Sequence, residues 1–169
     1  SSTWDEARQR MIDIHYKEDL DNNKKPDFNK RWHFTSDRIL NHHQTIDITL
    51  SVSNPKDIEQ LNITLNQKED GKQFLDLDWT SEEDISFIPI EKLDHEIIKR
   101  LPSICGVSFV KRSYFKLGIV IAHEGYLIDQ TNLIHASSEF GKTVNVDFYN
   151  YLKKDNKYRF DGVMFFKIR

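Results

Sequence analysis

Residues 104–134 read ICGVSFVKRSYFKLGIVIAHEGYLIDQTNLI, and the three apolar runs in this stretch determine how we interpret the chain. The runs span Ile104–Val110, Leu117–Ala122 and Tyr126–Ile134. Their length and their β-branched and aromatic residues predict strands. We interpret the His-Glu-Gly segment at 123–125 as a tight turn between the second and third runs. Residues 104–134 therefore predict three consecutive strands.

The sequence on either side predicts helices before this sheet and one more strand after it. Thr3–Ile12 is amphipathic, and Thr3 and Glu6 have the spacing of a capping box. The other predicted elements are strands at Ile14–Tyr16, Ile46–Val52, Phe74–Trp79, Ser86–Ile90 and Phe160–Ile168, helices at Pro55–Gln67, Glu91–Leu101 and Val146–Lys154, and an exposed turn at Lys17–Lys30. Helices early in the chain and antiparallel strands late in it predict an α+β fold.

Length and composition restrict the possible functions. The 169 residues predict a single domain, 1–169, and a formal net charge of -3 with no basic stripe argues against nucleic-acid binding. No apolar run reaches the roughly 18 residues that a membrane span needs. Cys105 is the single cysteine, which excludes an intrachain disulfide and a zinc site built from several thiolates. No His, Asp and Glu set has metal-site spacing and no Gly-rich phosphate loop occurs, so we predict no metal and no cofactor.

Short motifs occur in a characteristic order along nearly the whole chain. They are Arg-Trp-His-Phe-Thr-Ser at 31–36, Asp-Arg-Ile-Leu-Asn at 37–41, Asp-Ile-Thr at 47–49, Ile-Pro at 88–89, Leu-Gly-Ile at 117–119, Leu-Ile-His-Ala-Ser-Ser at 133–138 and Tyr-Leu at 151–152. In this order they resemble the N-acetylmuramoyl-L-alanine amidase-like family, papain-like relatives of the NlpC cell-wall peptidases. The resemblance implies a papain-like antiparallel sheet with flanking helices. It also implies a bacterial envelope setting, on resemblance alone.

The resemblance implies a cysteine amidase, which needs a thiolate, a base and a group that orients the base. In the family the nucleophilic Cys opens a helix upstream of the matched region. We therefore expect the chain to lack that helix, with a segment removed before Ser1. Cys105 lies among apolar neighbours and is interpreted as a buried hydrophobe. His135 falls at the family's orienting position, and the base His, which begins a His-x-Gly strand, corresponds to Lys116.

Lys116 does not suit the role of a base. An ordinary ammonium group stays protonated near neutral pH, where an imidazole can accept a proton. We interpret Lys116 as a solvent-facing side chain, or alternatively as a pocket lysine that binds an anionic group. His135 is either a hydrogen-bonded structural histidine or a retained ligand-binding residue. The other candidate binding residues are His33, Arg31 and Ser137, whereas His123 is expected to be exposed in its turn.

Three functions remain open on the sequence, and binding or assembly without hydrolysis is the preferred one because of Lys116 and the missing nucleophile. The first is a degenerate amidase-fold protein that binds a peptide, a glycopeptide or a protein partner without cutting it. The second is part of an active peptidoglycan amidase or peptidase whose nucleophilic Cys lies upstream of this chain. The third is a structural or assembly subunit that inherited only the fold, since fold does not determine function.

Overall fold

The structure, a computed structural model, describes residues 3–17 and 26–169, and an eight-stranded antiparallel sheet forms its centre. Most of the turn predicted at Lys17–Lys30 lies outside the described residues. The α-helices are α1 Trp4–His15, α2 Thr35–Asn41, α3 Thr49–Val52, α4 His95–Lys99 and α5 Phe148–Tyr151. The strands are β1 Thr45–Asp47, β2 Glu59–Leu65, β3 Ser81–Pro89, β4 Ile104–Val110, β5 Ile121–Ile128, β6 Asn132–Ser137, β7 Lys142–Asp147, β8 Lys153–Lys154, β9 Lys157–Tyr158 and β10 Gly162–Ile168. Short 3-10 segments span Phe28–Lys30, Pro55–Asp57, Ile90–Lys92 and Arg112–Leu117.

The strand order in the sheet is β2-β3-β10-β4-β5-β6-β7, with β1 pairing to the far end of β10. The C-terminal strand β10 thus lies in the middle of the sheet, next to β4. The start of β10 pairs with β3 through Gly162 and Val163, and its end pairs with β1 through Phe166 and Ile168. The helices and the antiparallel sheet confirm the predicted α+β fold.

Both faces of the sheet are buried, because alternate side chains of the central strands point to opposite sides. Val163 and Phe165 of β10 belong to a first core, which also contains Val107 and Phe109 and is covered by α4 and α5. Met164 and Phe166 belong to a second core on the other face. The second core also contains Phe34, Ile39, Leu65, Leu77 and Ile85.

Several predicted elements are confirmed. The strand at Ile104–Val110 has the predicted bounds, and the closing strand begins two residues later than predicted, at Gly162. The capping box of α1 is formed, since Thr3 Oγ1 accepts from Glu6 N and Thr3 N donates to Glu6 Oε2.

The turn predicted at residues 123–125 is wrong. These residues lie inside β5, paired with β4 on one side, and the chain reverses instead at 129–131. There Asp129 and Gln130 have positive φ of 48° and 67°, a conformation that Asp tolerates better than most residues. The run predicted to begin at Leu117 first forms the 3-10 segment Arg112–Leu117, and the strand starts only at Ile121. Pairing with β4 therefore outweighs the turn preference of the Gly.

Tertiary pairing also overrides the helix predicted at Pro55–Gln67. Only Pro55–Asp57 is helical, as a 3-10 turn, and Glu59–Leu65 pairs with β3 along its whole length. In a strand Leu61, Ile63 and Leu65 all point to one side, where they pack in or against the second core.

Two short predicted strands are wrong, because residues 14–15 continue α1 and 74–79 contain no strand. The strand predicted at Ile46–Val52 is confirmed only in part, since Ile46 and Asp47 belong to β1 whereas 49–52 form α3.

Residues 74–79 are held as a loop by buried Asn66, whose side chain accepts from Leu75 N at 2.7 Å and donates to Trp79 O at 3.0 Å. These bonds replace the ladder that a strand would need.

Two predicted helices are shorter than expected. The helix predicted at Glu91–Leu101 forms as a 3-10 turn followed by α4, because Asp94 caps a new start through a 2.8 Å bond from Ile97 N. The helix predicted at Val146–Lys154 is limited to α5, since residues before it pair with β6.

Candidate functional site

Two histidines from neighbouring strands contact each other directly. His123 Nε2 lies 2.9 Å from His135 Nδ1, and the two rings stand at 89° with centroids 4.9 Å apart. His123 lies on β5 and His135 on β6, and both share a face with first-core residues, Leu127 and Leu133. The hairpin therefore brings the two imidazoles together at the edge of the first core.

A β-bulge sets the position of His123. Phe109 pairs with His123 but Val110 pairs with Ile121, so Ala122 is an extra residue in β5. Bulges of this kind redirect a side chain next to a site. The ring of His123 stacks on Phe109 at a centroid distance of 6.0 Å and an angle of 19°. One face of the imidazole therefore packs against the first core.

Gly125 allows the close approach of β6. A Cβ at this position would lie 2.8 Å from Ile134 O and 3.0 Å from the Cβ of His135. Both distances are shorter than ordinary contacts between these atoms, so a larger residue would push the two strands apart. The glycine of the His-Glu-Gly segment is thus required by the histidine contact itself.

Glu124, between His123 and Gly125, points to the face of the sheet opposite the histidine pair. Its Oε2 accepts from Arg38 Nη2 of α2 at 2.6 Å. This ion pair attaches the outer face of β5 to α2.

The histidine pair lies in a cleft of about 750 Å³, which we name the histidine cleft. Its lining includes Lys111, Ala122, His123, His135, Ser137, Glu139, Phe140, Asp147, Tyr151, Arg159 and Phe160. The Tyr151 ring lies 4.5 Å from the His135 ring and 6.0 Å from the His123 ring, between centroids. Tyr151 therefore packs against both imidazoles.

The environment of His123 favours the neutral imidazole. Burial lowers the pKa of His123, and the proximity of His135 and of the Arg159 guanidinium lowers it further. A neutral imidazole can accept a proton near neutral pH. With a proton on Nε2, His123 donates to His135 Nδ1, and its own Nδ1 is left as the acceptor. The arrangement can thus orient a general base.

Two sequence-predicted residues line the histidine cleft. His135 is only 6% exposed and contacts His123, and Ser137 follows it on β6. The Ser137 hydroxyl accepts from Phe140 N at 3.3 Å, which ties it to the turn after β6.

The remaining predicted site residues lie elsewhere. Lys116 is exposed on the 3-10 segment before β5 and does not line the histidine cleft, and its carbonyl accepts from Glu69 N. His33 Nε2 donates to Phe28 O at 2.7 Å and lines a separate cavity of about 100 Å³. Arg31 is exposed and forms a bridge with Tyr16. The structure does not bring these three residues to the histidine pair.

Sequence reasoning missed His123, although the signal was present. The expectation that His123 lies exposed in a turn is wrong, because it is half-buried in β5. Residues 123–126 read His-Glu-Gly-Tyr, which itself has the His-x-Gly-hydrophobic pattern. The His-Ala-Ser strand end follows 12 residues later, a distance that one hairpin spans.

Cys105 cannot serve as a nucleophile in this structure. It is 2% exposed in the first core, and burial raises the pKa of its thiol to about 12. Only the thiolate is nucleophilic. This confirms the interpretation of Cys105 as a buried hydrophobe.

Metal sites and membrane-spanning helices are both absent from the part of the chain that the structure describes. No group of three or more His, Cys, Asp or Glu in residues 3–17 and 26–169 could hold a metal ion. In the same ranges, no helix is both long and apolar enough to cross a membrane.

Comparisons with known proteins agree with this fold. A protein from Legionella pneumophila superposes with a TM-score of 0.72 at 20% identity, covering 99% of this chain and 70% of that one. An N-acetylmuramoyl-L-alanine amidase from Bacteroides uniformis gives 0.66 at 21% identity, over 99% and 75%. At these identities the two structures show a shared fold alone.

Sequence comparison gives the family. Among curated proteins, none matches the chain at a significant level. The family described as N-acetylmuramoyl-L-alanine amidase-like matches residues 1–160. The chain therefore belongs to the N-acetylmuramoyl-L-alanine amidase-like family.

Proposed function

We propose that this chain supplies the base and its orienting partner in a cysteine amidase that hydrolyses amide bonds of cell-wall peptides. The observation that supports the proposal is the 2.9 Å contact between His123 and His135 in an open cleft. Lys116 at the base position favours a degenerate protein. The histidine pair in the cleft supports an active one, because it offers a base that does not depend on Lys116.

In the proposed reaction, neutral His123 accepts the proton of an attacking thiol. The sulfur then bonds to the amide carbonyl carbon, and protonated His123 donates its proton to the leaving amine. Water, deprotonated by the same imidazole, then attacks the thioester carbon, and the C–S bond breaks as the thiolate leaves and takes the proton back from His123. His135 keeps the ring of His123 oriented through Nε2, as the third member of a catalytic triad does.

The thiol is proposed to come from chain outside residues 1–169. Cys105 is the single cysteine of the sequence, and it is buried. The cell-wall substrate is proposed from the family and from the name of the Bacteroides uniformis amidase. A cleft of about 750 Å³ has the size of a ligand site.

A second candidate function is binding or assembly without hydrolysis. The burial of Cys105 favours it, because the sequence holds no other thiol. In that case the histidine cleft holds a peptide, a glycopeptide or a protein partner and leaves it intact.

An incubation of purified peptidoglycan with the protein as its gene encodes it distinguishes the two functions. Amidase activity predicts new free amino groups and new fragments by mass spectrometry. Cys105→Ala should keep this activity, whereas His135→Ala should lower it. Binding of peptidoglycan fragments without any amide cleavage would instead establish the second function.

A further inference from the structure

Arg159 is fixed on the wall of the histidine cleft by contacts of its backbone and its side chain. It lies between β9 and β10, where its N–H donates to Leu152 O at 2.9 Å. Its carbonyl accepts from Lys111 Nζ, also at 2.9 Å. Its guanidinium carbon lies 4.3 Å from the centroid of the Tyr151 ring. These contacts hold the side chain beside the ring that packs on both histidines.

The guanidinium retains hydrogen-bonding capacity toward the cleft. Within residues 3–17 and 26–169, no carboxylate forms an ion pair with Arg159. A guanidinium that stacks on an aromatic ring contacts the ring through the guanidinium face. The five N–H donors lie in the plane of the guanidinium and therefore remain available. Because this group stays protonated, the cleft wall has a permanent positive charge. The Lys111 ammonium group lines the same cleft.

We propose that Arg159 binds a carboxylate of the ligand beside the His123–His135 pair. The substrates would then be acidic peptides, with a free carboxylate a few bonds from the amide that is cleaved. The substrate class rests on the proposed amidase function, whereas the carboxylate site itself rests only on the cleft. Arg159 is a binding residue in this account and is neither the base nor the nucleophile.

A carboxylate suits this position better than a phosphate does. A carboxylate is planar and can accept two parallel N–H bonds from one guanidinium. Glu139 and Asp147 also line the cleft, and they repel a phosphate, whose two charges lie on one group, more than a single carboxylate group.

Calorimetric titration of the 169-residue chain with two matched probes tests the site. The probes are N-acetyl-alanyl-glutamic acid and the same compound with both carboxylates converted to carboxamides. We expect the acid to bind more tightly than the diamide. Arg159→Gln should weaken acid binding about tenfold or more, the loss typical of a hydrogen-bonded charge pair, and should leave diamide binding unchanged.

Two variants serve as controls. Arg100→Gln removes the same charge from an exposed position that does not line the cleft, and it should leave the preference for the acid intact. Arg159→Lys keeps the charge but loses the paired N–H donors of the guanidinium, so it should weaken acid binding less than Arg159→Gln does. If Arg159→Gln fails to fold by circular dichroism, the Arg159→Lys comparison decides the result.

Several results would overturn the carboxylate site. These are equal binding of acid and diamide by the unsubstituted chain, equal loss of both probes in Arg159→Gln, or acid binding that neither Arg159 variant changes. If inorganic phosphate binds more tightly than the acid does, the site is a phosphate site and the carboxylate proposal is wrong. The titration does not involve hydrolysis, so a failure of the amidase proposal would leave its result unaffected.

Discussion

His123 and His135 contact each other through ring nitrogens 2.9 Å apart, and the surroundings of His123 determine which protonation state it holds. Burial is the largest influence, followed by the proximity of His135 and of the Arg159 guanidinium, and all three lower its pKa. A base whose neutral form is favoured stays available at a lower pH than an ordinary histidine does. The acid-base behaviour of the site thus depends on Arg159, a residue from a distant part of the sequence.

We expect the pKa of His123 to lie below its ordinary value of 6.5. Arg159→Gln should raise this pKa, because removal of a nearby positive charge stabilises the imidazolium form. A pH titration followed by long-range ¹H–¹⁵N NMR of the imidazole nitrogens measures both values. Arg100→Gln is the control and should leave the titration unchanged. A pKa that stays constant or falls in Arg159→Gln would contradict this account.

The members of the site differ in how far the sequence reveals them. His135 is identified by its His-Ala-Ser motif. His123 is harder to identify, because the resemblance places the His-x-Gly strand seven residues earlier, at Lys116, and because Gly125 suggests a turn. Arg159 has no local signal, since its position depends on bonds to Leu152 and Lys111 that only the folded chain creates.

The pairing of β5 with β6 in one hairpin places the two histidines next to each other. Leu127 pairs with Leu133 in this hairpin, and both are fully buried in the first core. The register is fixed by that burial, because a slip of one residue would turn His135 to the opposite face. The contact between the imidazoles is thus a consequence of core packing.

Gly125→Ala should destabilise the protein and separate the two histidines. The added Cβ meets Ile134 O at 2.8 Å, and a backbone atom cannot move aside as a flexible side chain can. Inserting a methyl group into a packed position typically costs about 1–3 kcal/mol. Urea unfolding measures the loss, and NMR of the imidazoles should show that the contact is weakened. Thr143→Ala, at an exposed site on β7, is the control, and an equal effect of the two substitutions would contradict this explanation.

Elements are predictable from the sequence where local pattern and tertiary environment agree. Ile104–Val110 is mostly apolar and is buried on both faces from Cys105 onward, so the prediction and the structure coincide. Glu59–Leu65 has apolar residues whose spacing also suits a helix, and only its pairing with β3 makes it a strand. Such pairing joins residues far apart in the sequence, which a local pattern cannot reveal.

The molecule as a whole is organised around β10, the last strand in the sequence. Its side chains alternate between the two cores, with Phe165 in the first core and Phe166 in the second. It also pairs with β1, β3 and β4. The site rests on the first core, so the stability of the site and of the fold are coupled through this strand.

Phe165→Ala should therefore lower the free energy of unfolding strongly. Phe165 is completely buried, and truncation of a buried Phe to Ala typically costs about 3–5 kcal/mol. Chemical denaturation measures the loss. Lys167→Ala, two residues further along the same strand but exposed, should change stability by at most about 0.5 kcal/mol. A loss for Phe165→Ala as small as that of Lys167→Ala would contradict a core centred on β10.

The assignment of His123 as the base is tested by comparing two substitutions in the protein as its gene encodes it. The measurement is the rate of amide cleavage in purified peptidoglycan. His123→Ala should lower this rate about 100-fold or more, which is the usual contribution of a general base. Lys116→Ala should leave the rate close to that of the unsubstituted protein, because Lys116 is exposed and lies outside the histidine cleft. Loss of cleavage in Lys116→Ala with full activity in His123→Ala would contradict the account.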